Sequence, residues 1–165
     1  MSDDALSVEG ASDFNPLVQE IASAMVEVGG LGVDDFLQSI VNTVNLQPNY
    51  QLPVTLYLGG SLVSGQLISG DRYFEEMAEL LSRGTYDAEH ERELTRASVN
   101  EFGDKYRKAR EDQGEQDGPV FIHLREASVF GLTGSPIPSN PVLWRGRINA
   151  VSGFHIGSLR VSAPG

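Results

Sequence analysis

The 165-residue sequence contains no cysteine, which removes disulfides, thiol nucleophiles and cysteine-held zinc from consideration. No apolar run approaches the roughly 18 residues a membrane helix needs. The opening MSDDALSVEGASDF is acidic and lacks the apolar centre of a secretory leader. These absences lead to the expectation of a cytoplasmic protein without a membrane segment. Basic residues are also missing from the first fifty positions, which hold 8 acids and neither Lys nor Arg. Residues 51–70 are uncharged, 71–117 carry 14 acids and 8 bases, and 118–165 carry 1 acid and 4 bases. A chain of net charge −11 with its bases placed so late repels phosphate backbones over most of its length, so nucleic acid is not an expected partner.

Catalytic signatures are missing as well. The serine-rich stretches SLVSGQLISG and LTGSPIPS lack the Gly-x-Ser-x-Gly spacing of a nucleophile elbow. Gly59, Gly60, Gly65 and Gly70 punctuate apolar alternation and no Gly-Lys-Ser/Thr follows them, so they do not form a phosphate loop. Adjacent acids such as Asp34–Asp35 and Glu75–Glu76 fall on expected helices, where neighbouring side chains diverge. Of the three histidines, His90 lies in an acidic helical stretch, while His123 and His155 lie in expected strands without a carboxylate cluster beside either. The expectation is a non-enzyme with no catalytic residue, no cofactor and no metal. Two strand histidines brought together by the fold would be the one route to a site.

What is present reads as a single α+β domain with additions. The acidic residues 1–33 form an expected N-terminal helical extension, with Asn15 as cap, Pro16 in the first turn and Leu17, Ile21, Met25 and Val28 at helical spacing. A second helix is expected at VDDFLQSIVNTV, capped by Asp34, with Phe36, Leu37, Ile40, Val41 and Val44 on one face. LPVTLYLGGSLVSGQLIS reads as two strands turning at Gly59–Gly60. From Asp71, here read as a cap, the period becomes helical, and a second polar helix is expected over about 87–111 despite its interruption at ASVNEFGDKY. PVFIHLREASVFGL alternates as a strand, TGSPIPSNP reads as a proline-rich loop, and VLWRGRINAVSGFHIGSL as a closing hairpin. The layout is therefore an extension at 1–33 and one domain at 34–165 with a helical insertion at 71–117.

Two resemblances follow from these blocks. The alternating VTLYLGGSLVSGQLISGD and the later VLWRGRINAV resemble the two halves of an Sm-like motif. They imply a small, strongly bent antiparallel sheet or barrel of Sm-like or SH3-like type. Glycines allow the sharp bends, and alternation fills a small interior. The helix after Asp71 and the roughly 70 residues between the halves depart from RNA-binding members, so an Sm-like RNA-binding protein is kept only as the alternative.

The ordered set SLVSGQLISGDRYFEEMAE, FIHLRE, GSPIPSNP and LWRGRINAVSGFHIGSL resembles the gas vesicle accessory protein U family over residues 34–161. That resemblance implies a non-enzymatic protein associated with gas vesicles, acting by protein–protein contact in their assembly, organisation or clustering. The implied partners are the vesicle shell, other gas vesicle proteins or a second copy of the chain. The motif positions it carries over are Phe121–Leu124, Trp144, Arg145, Gly146, Gly153, Phe154 and Gly157. Trp144, Arg145, Arg147, Phe154 and Arg125 are the candidate interface residues. The arginines form either a solvated face or a basic docking patch for an acidic partner, and exposed sheet edges suggest a homo-oligomer.

Overall fold

The computed structural model describes residues 32–85, 88–112, 118–131 and 136–159. The helix expected from Asn15, the extension and much of the 111–118 linker lie outside them. Among the described residues three helices and five strands follow one another: α1 (Asp35–Leu46), β1 (Leu52–Leu58), β2 (Ser61–Leu67), α2 (Gly70–Thr85), α3 (Glu89–Glu111), β3 (Phe121–Phe130), β4 (Pro136–Arg147), a 3-10 turn (Ile148–Ala150) and β5 (Gly153–Ile156). The strands form one antiparallel sheet in the order β4-β3-β2-β1-β5. The fold is the expected α+β class with a small antiparallel sheet, and the sheet is open: β4 and β5 are its two edges and do not meet to close a barrel.

Local chemistry explains most of these elements. Asp34 caps α1, its Oδ1 accepting from the Leu37 N–H at 2.8 Å. Gly59 and Gly60 both have positive φ, 50° and 93°, which suits the tight turn that joins β1 to β2. β3 is irregular where it meets β2, and Glu126 there has φ 50°. Gly65 lies against that irregularity, 2.9 Å from Arg125 O if it carried a Cβ, so a larger residue would force the strands apart. α3 runs unbroken through the stretch that looked weak, and its Gly103 is buried against α2, where a Cβ would come 3.3 Å from the Asp71 Cα.

Alternation divides the sheet into two unlike faces. On one, Val54, Leu56, Val63, Leu67, Ile122 and Leu124 are buried. α1 supplies Leu37, Val41 and Val44, one helical stripe, to the same core. Its ends are tied at separated points, Phe36 beside Phe154 of β5 and Asn45 Oδ1 accepting from the Gly70 N–H. The other face is polar and aromatic. Around β1 and β2 the Thr55 and Ser64 hydroxyls bond each other, and the chain after β5 crosses them through Thr55 Oγ1 to Gly157 O and Leu159 N–H to Ser64 Oγ. Around β3 and β4 the α2–α3 hairpin covers the face.

Three expectations need correction. The closing hairpin is absent: β4 pairs with β3 and β5 with β1, because the 3-10 turn at Ile148–Ala150 carries the chain from one sheet edge to the other. The proline-rich segment is in part strand, since β4 starts at Pro136. An edge strand tolerates proline where no neighbour needs its N–H, and the β3–β4 register slips there. Asp71 is no cap. It lies one residue inside α2, 5% exposed, and forms a close ion pair with Arg110 of α3, whose Nη1 also donates to Asn45 O at 2.8 Å. Burial alone would raise the Asp71 carboxyl, but the Arg110 contacts outweigh it and hold the pKa below the usual value. This tie joins all three helices.

Candidate functional site

In the β3–β4 ladder His123 stands opposite Arg145 and Phe121 opposite Arg147. Partners across an antiparallel pair share a face, so these four side chains all lie on the face beneath the helical hairpin. His123 is completely buried. Tyr73 and Phe74 of α2 and Tyr106 of α3 close around it, with ring centroids 4.8, 5.9 and 5.5 Å away. Arg145 covers the remaining side: its Nε donates to His123 Nε2 at 3.3 Å and its guanidinium lies 3.5 Å from the centre of the Phe121 ring. Because Nε2 accepts, the imidazole proton resides on Nδ1, which has no hydrogen-bond partner. Burial, reinforced by the nearby charges of Arg145 and Lys105, lowers the His123 pKa from 6.5 to about 3. The imidazole is therefore a neutral core element at neutral pH, not a proton donor.

The cations above it differ from most of the other described cations. Arg72, Arg83, Arg92, Arg96, Arg107, Arg110 and Arg125 each have a carboxylate partner. Among the described residues Lys105, Lys108, Arg145 and Arg147 have none. Three of these four lean on aromatic rings: Arg145 and Arg147 over Phe121, the latter at 5.9 Å, and Lys105 over Tyr106 at 5.0 Å. Together they make an exposed cationic ledge supported by rings. Beside it runs a groove of about 280 Å³ between α1 and α3, lined by Asn42, Leu46, Tyr106, Val120 and Phe121 with Lys105 at its rim.

The structure thus brings Arg145 and Arg147 together and separates the other candidates from them. Arg125 is on the same face but is neutralised by Glu76 at 3.4 Å and Glu126 at 3.6 Å. Trp144 is on the opposite face, half-buried and folded over Gly146, where an added Cβ would fall 2.2 Å from its ring. Phe154 is at the far edge, opposite Leu56 and 6.1 Å from the Phe36 ring. His123 and His155 are kept apart by β2 and β1. Among the described residues no group of three or more His, Asp or Glu is arranged to hold a metal ion, and no helix is long and apolar enough to cross a membrane. Asp71, which closes the first half of the Sm-like resemblance, is 5% exposed and engaged with Arg110.

Lys105 and Tyr106 are site residues that sequence reasoning missed. Lys105 has Glu101 four residues before it, the spacing that usually pairs charges on a helix. No local signal distinguishes it from the paired arginines. Only the packing of α3 against β3 does.

The ledge and its ring supports lie inside a segment, residues 34–159, that matches the family described as Gas vesicle protein GvpU-like. The chain belongs to that family. The match begins at the Asp34 cap of α1 and ends three residues beyond β5, so it takes in the sheet, the helical hairpin and every candidate interface residue. Neither curated proteins nor solved structures give a match. Within this GvpU-like protein, what the geometry offers chemically is recognition: fixed positive charges, aromatic surface and a shallow apolar groove.

Proposed function

We propose that this GvpU-like protein is a non-catalytic adaptor in gas vesicle organisation. It docks an acidic segment of the vesicle shell, or of another gas vesicle protein, on the Arg145–Arg147–Lys105 ledge. The observation that carries this reading is the contrast in pairing: on a chain of net charge −11, four described cations lack carboxylate partners, and three of them rest on rings. An exposed charge pair with a flexible partner contributes little because both side chains must be ordered. Arg145 is already ordered, stacked on Phe121 and bonded to His123, so an incoming carboxylate meets a pre-positioned donor fork. The groove beside it accepts apolar side chains of the same segment.

Co-sedimentation of purified protein with gas vesicles, measured over a salt series, tests the reading. Arg145→Glu combined with Arg147→Glu is expected to weaken vesicle binding at least tenfold at low salt and to remove its salt dependence. Binding that is insensitive to both salt and the charge reversals would sink the proposal. Tight, salt-sensitive binding of uridine-rich RNA by the wild type would replace it with the Sm-like alternative.

A further inference from the structure

An adaptor that holds vesicles together needs at least two docking sites, and one copy of this chain presents one ledge. The two edges of the sheet differ in how far they resist pairing with another chain. The Ile148 N–H bonds Val120 O at 3.0 Å, which sets the phase of the β3–β4 ladder. Gly146 and Trp144 therefore bond inward, and the free backbone groups near the end of β4 belong to Arg145 and Arg147. Earlier in the strand stand Pro136, Pro138 and Pro141. Prolines and positive charges are the usual means of blunting an edge, and two β4 edges set side by side would oppose their arginines.

The β5 edge has neither protection. Its sequence is GFHI, without proline, Lys, Arg, Asp or Glu. The Gly157 N–H bonds Pro53 O at 2.8 Å, so His155 bonds inward to Thr55 while Phe154 and Ile156 direct N–H and C=O outward. Among the described residues nothing pairs with this outer side. Around it lies apolar surface: Ile156 is 52% exposed, Phe36 is 68% exposed, and Phe154 lies between them on the same sheet face.

We infer that the β5 edge pairs with the β5 edge of a second copy of this chain, forming a two-fold dimer with a continuous ten-stranded sheet. A two-fold antiparallel join with Phe154 opposite Ile156 of the second copy uses all the outward backbone groups of both residues. It also places the two Phe154–Ile156 pairs and both Phe36 rings in one apolar strip. The same register brings His155 of each copy face to face at the axis in a close, non-hydrogen-bonded pair. The two β4 edges, with their cationic ledges, then lie at opposite ends of the sheet and face opposite directions along it. The dimer is thereby bivalent. Four residues of strand make a small interface, so association belongs to the transient class and depends on protein concentration. The bivalent role rests on the ledge reading above, whereas the dimer itself is measured without vesicles.

The absence of cysteine gives a direct test. Opposed residues of a non-hydrogen-bonded antiparallel pair have Cα atoms about 4.5 Å apart, within the range a disulfide spans. Full-length His155→Cys is expected to form a covalent dimer on mild oxidation, whereas Thr43→Cys on α1 remains monomeric at the same concentration. In sedimentation experiments across the micromolar range, Ile156→Asp should shift the wild-type monomer–dimer equilibrium at least tenfold toward monomer, with an unchanged circular dichroism spectrum. Arg145→Glu with Arg147→Glu should leave that equilibrium unmoved even where it abolishes vesicle binding. The inference is overturned if His155→Cys crosslinks no faster than Thr43→Cys, if Ile156→Asp associates as wild type does, or if the arginine reversals rather than Ile156→Asp dissolve the dimer.

Discussion

The two ends of the sheet are built on opposite plans. At the β3–β4 end two helices set three aromatic rings over a buried histidine, with the Phe121 ring and cations at the rim. At the β1–β5 end the polar face is closed by hydroxyls and the departing chain, and the edge is short, uncharged and apolar. Charge placed on one edge and withheld from the other lets the two edges take different partners. In the function proposed above, the β4 end recognises something acidic without pairing as a strand, and the β5 end is left open to a strand. The contrast depends on the helical hairpin staying docked, because Tyr73, Phe74 and Tyr106 are what hold His123, and through it Arg145, in place.

The largest expected effect comes from releasing that hairpin. Asp71→Ala leaves Arg110 in a partly buried position without its carboxylate and is expected to cost about 3–5 kcal/mol. Chemical denaturation should show the loss. Tyrosine exposure, read in the near-ultraviolet, should report the β4 end opening. A loss below about 1 kcal/mol would mean that the tie between the three helices is dispensable. Leu56, fully buried at the other end, provides the scale: truncation of such a residue to Ala costs about 2–5 kcal/mol through transfer and cavity terms.

A second prediction concerns pH. The folded state keeps His123 neutral, with its pKa lowered to about 3 from 6.5. In the unfolded chain the imidazole takes up a proton near the higher value. The unfolded state therefore binds more protons between the two values, and stability is retained above pH 6.5 and lost progressively as pH falls toward 3. His123→Phe should remove this part of the acid slope while retaining the ring packing, as followed by denaturant midpoints at pH 7, 6 and 5. A slope unchanged by the substitution would place the acid sensitivity elsewhere. Carboxylates such as Asp71, whose lowered pKa also stabilises the fold above the unfolded value, add to the acid slope only at lower pH.

Much of the fold could be read from the sequence because its signals are local. The Asp34 cap, the Gly59–Gly60 turn, the alternation of β1 and β2 and the apolar stripe of α1 each need only their neighbours to act. The β4–β5 segment misleads for a physical reason: two alternating runs separated by a few residues look the same whether they pair with each other or are carried to opposite edges by a 3-10 turn. Asp71 misleads similarly. An acid at the start of a helix serves equally as a cap or as a buried ion-pair partner, and only the position of Arg110, 39 residues on, decides between them. Of the candidate site, Arg145 and Arg147 were legible as an unusual basic pair on an acidic chain. Lys105 and the ring cage were not, since they reach the ledge through helix packing.

The smallest expected effect separates the two arginines themselves. Arg145 lies 3.5 Å from the Phe121 ring centre and donates to His123, whereas Arg147 is 5.9 Å from that ring and makes neither close contact nor ion pair. A cation over an exposed ring contributes roughly 0.5–1 kcal/mol, so Arg145→Gln should cost about 1 kcal/mol at pH 7 and Arg147→Gln less than about 0.5 kcal/mol. The first substitution should also change the pH behaviour. Without the Arg145 charge, protonation of His123 is less strongly opposed, so its folded pKa rises toward 6.5 and the acid-dependent loss of stability becomes smaller. Arg147→Gln should leave the slope as in the wild type. If both substitutions alter stability and slope equally, the ledge is a diffuse positive field; if only Arg145→Gln does so, Arg145 is anchored in the fold and Arg147 is not.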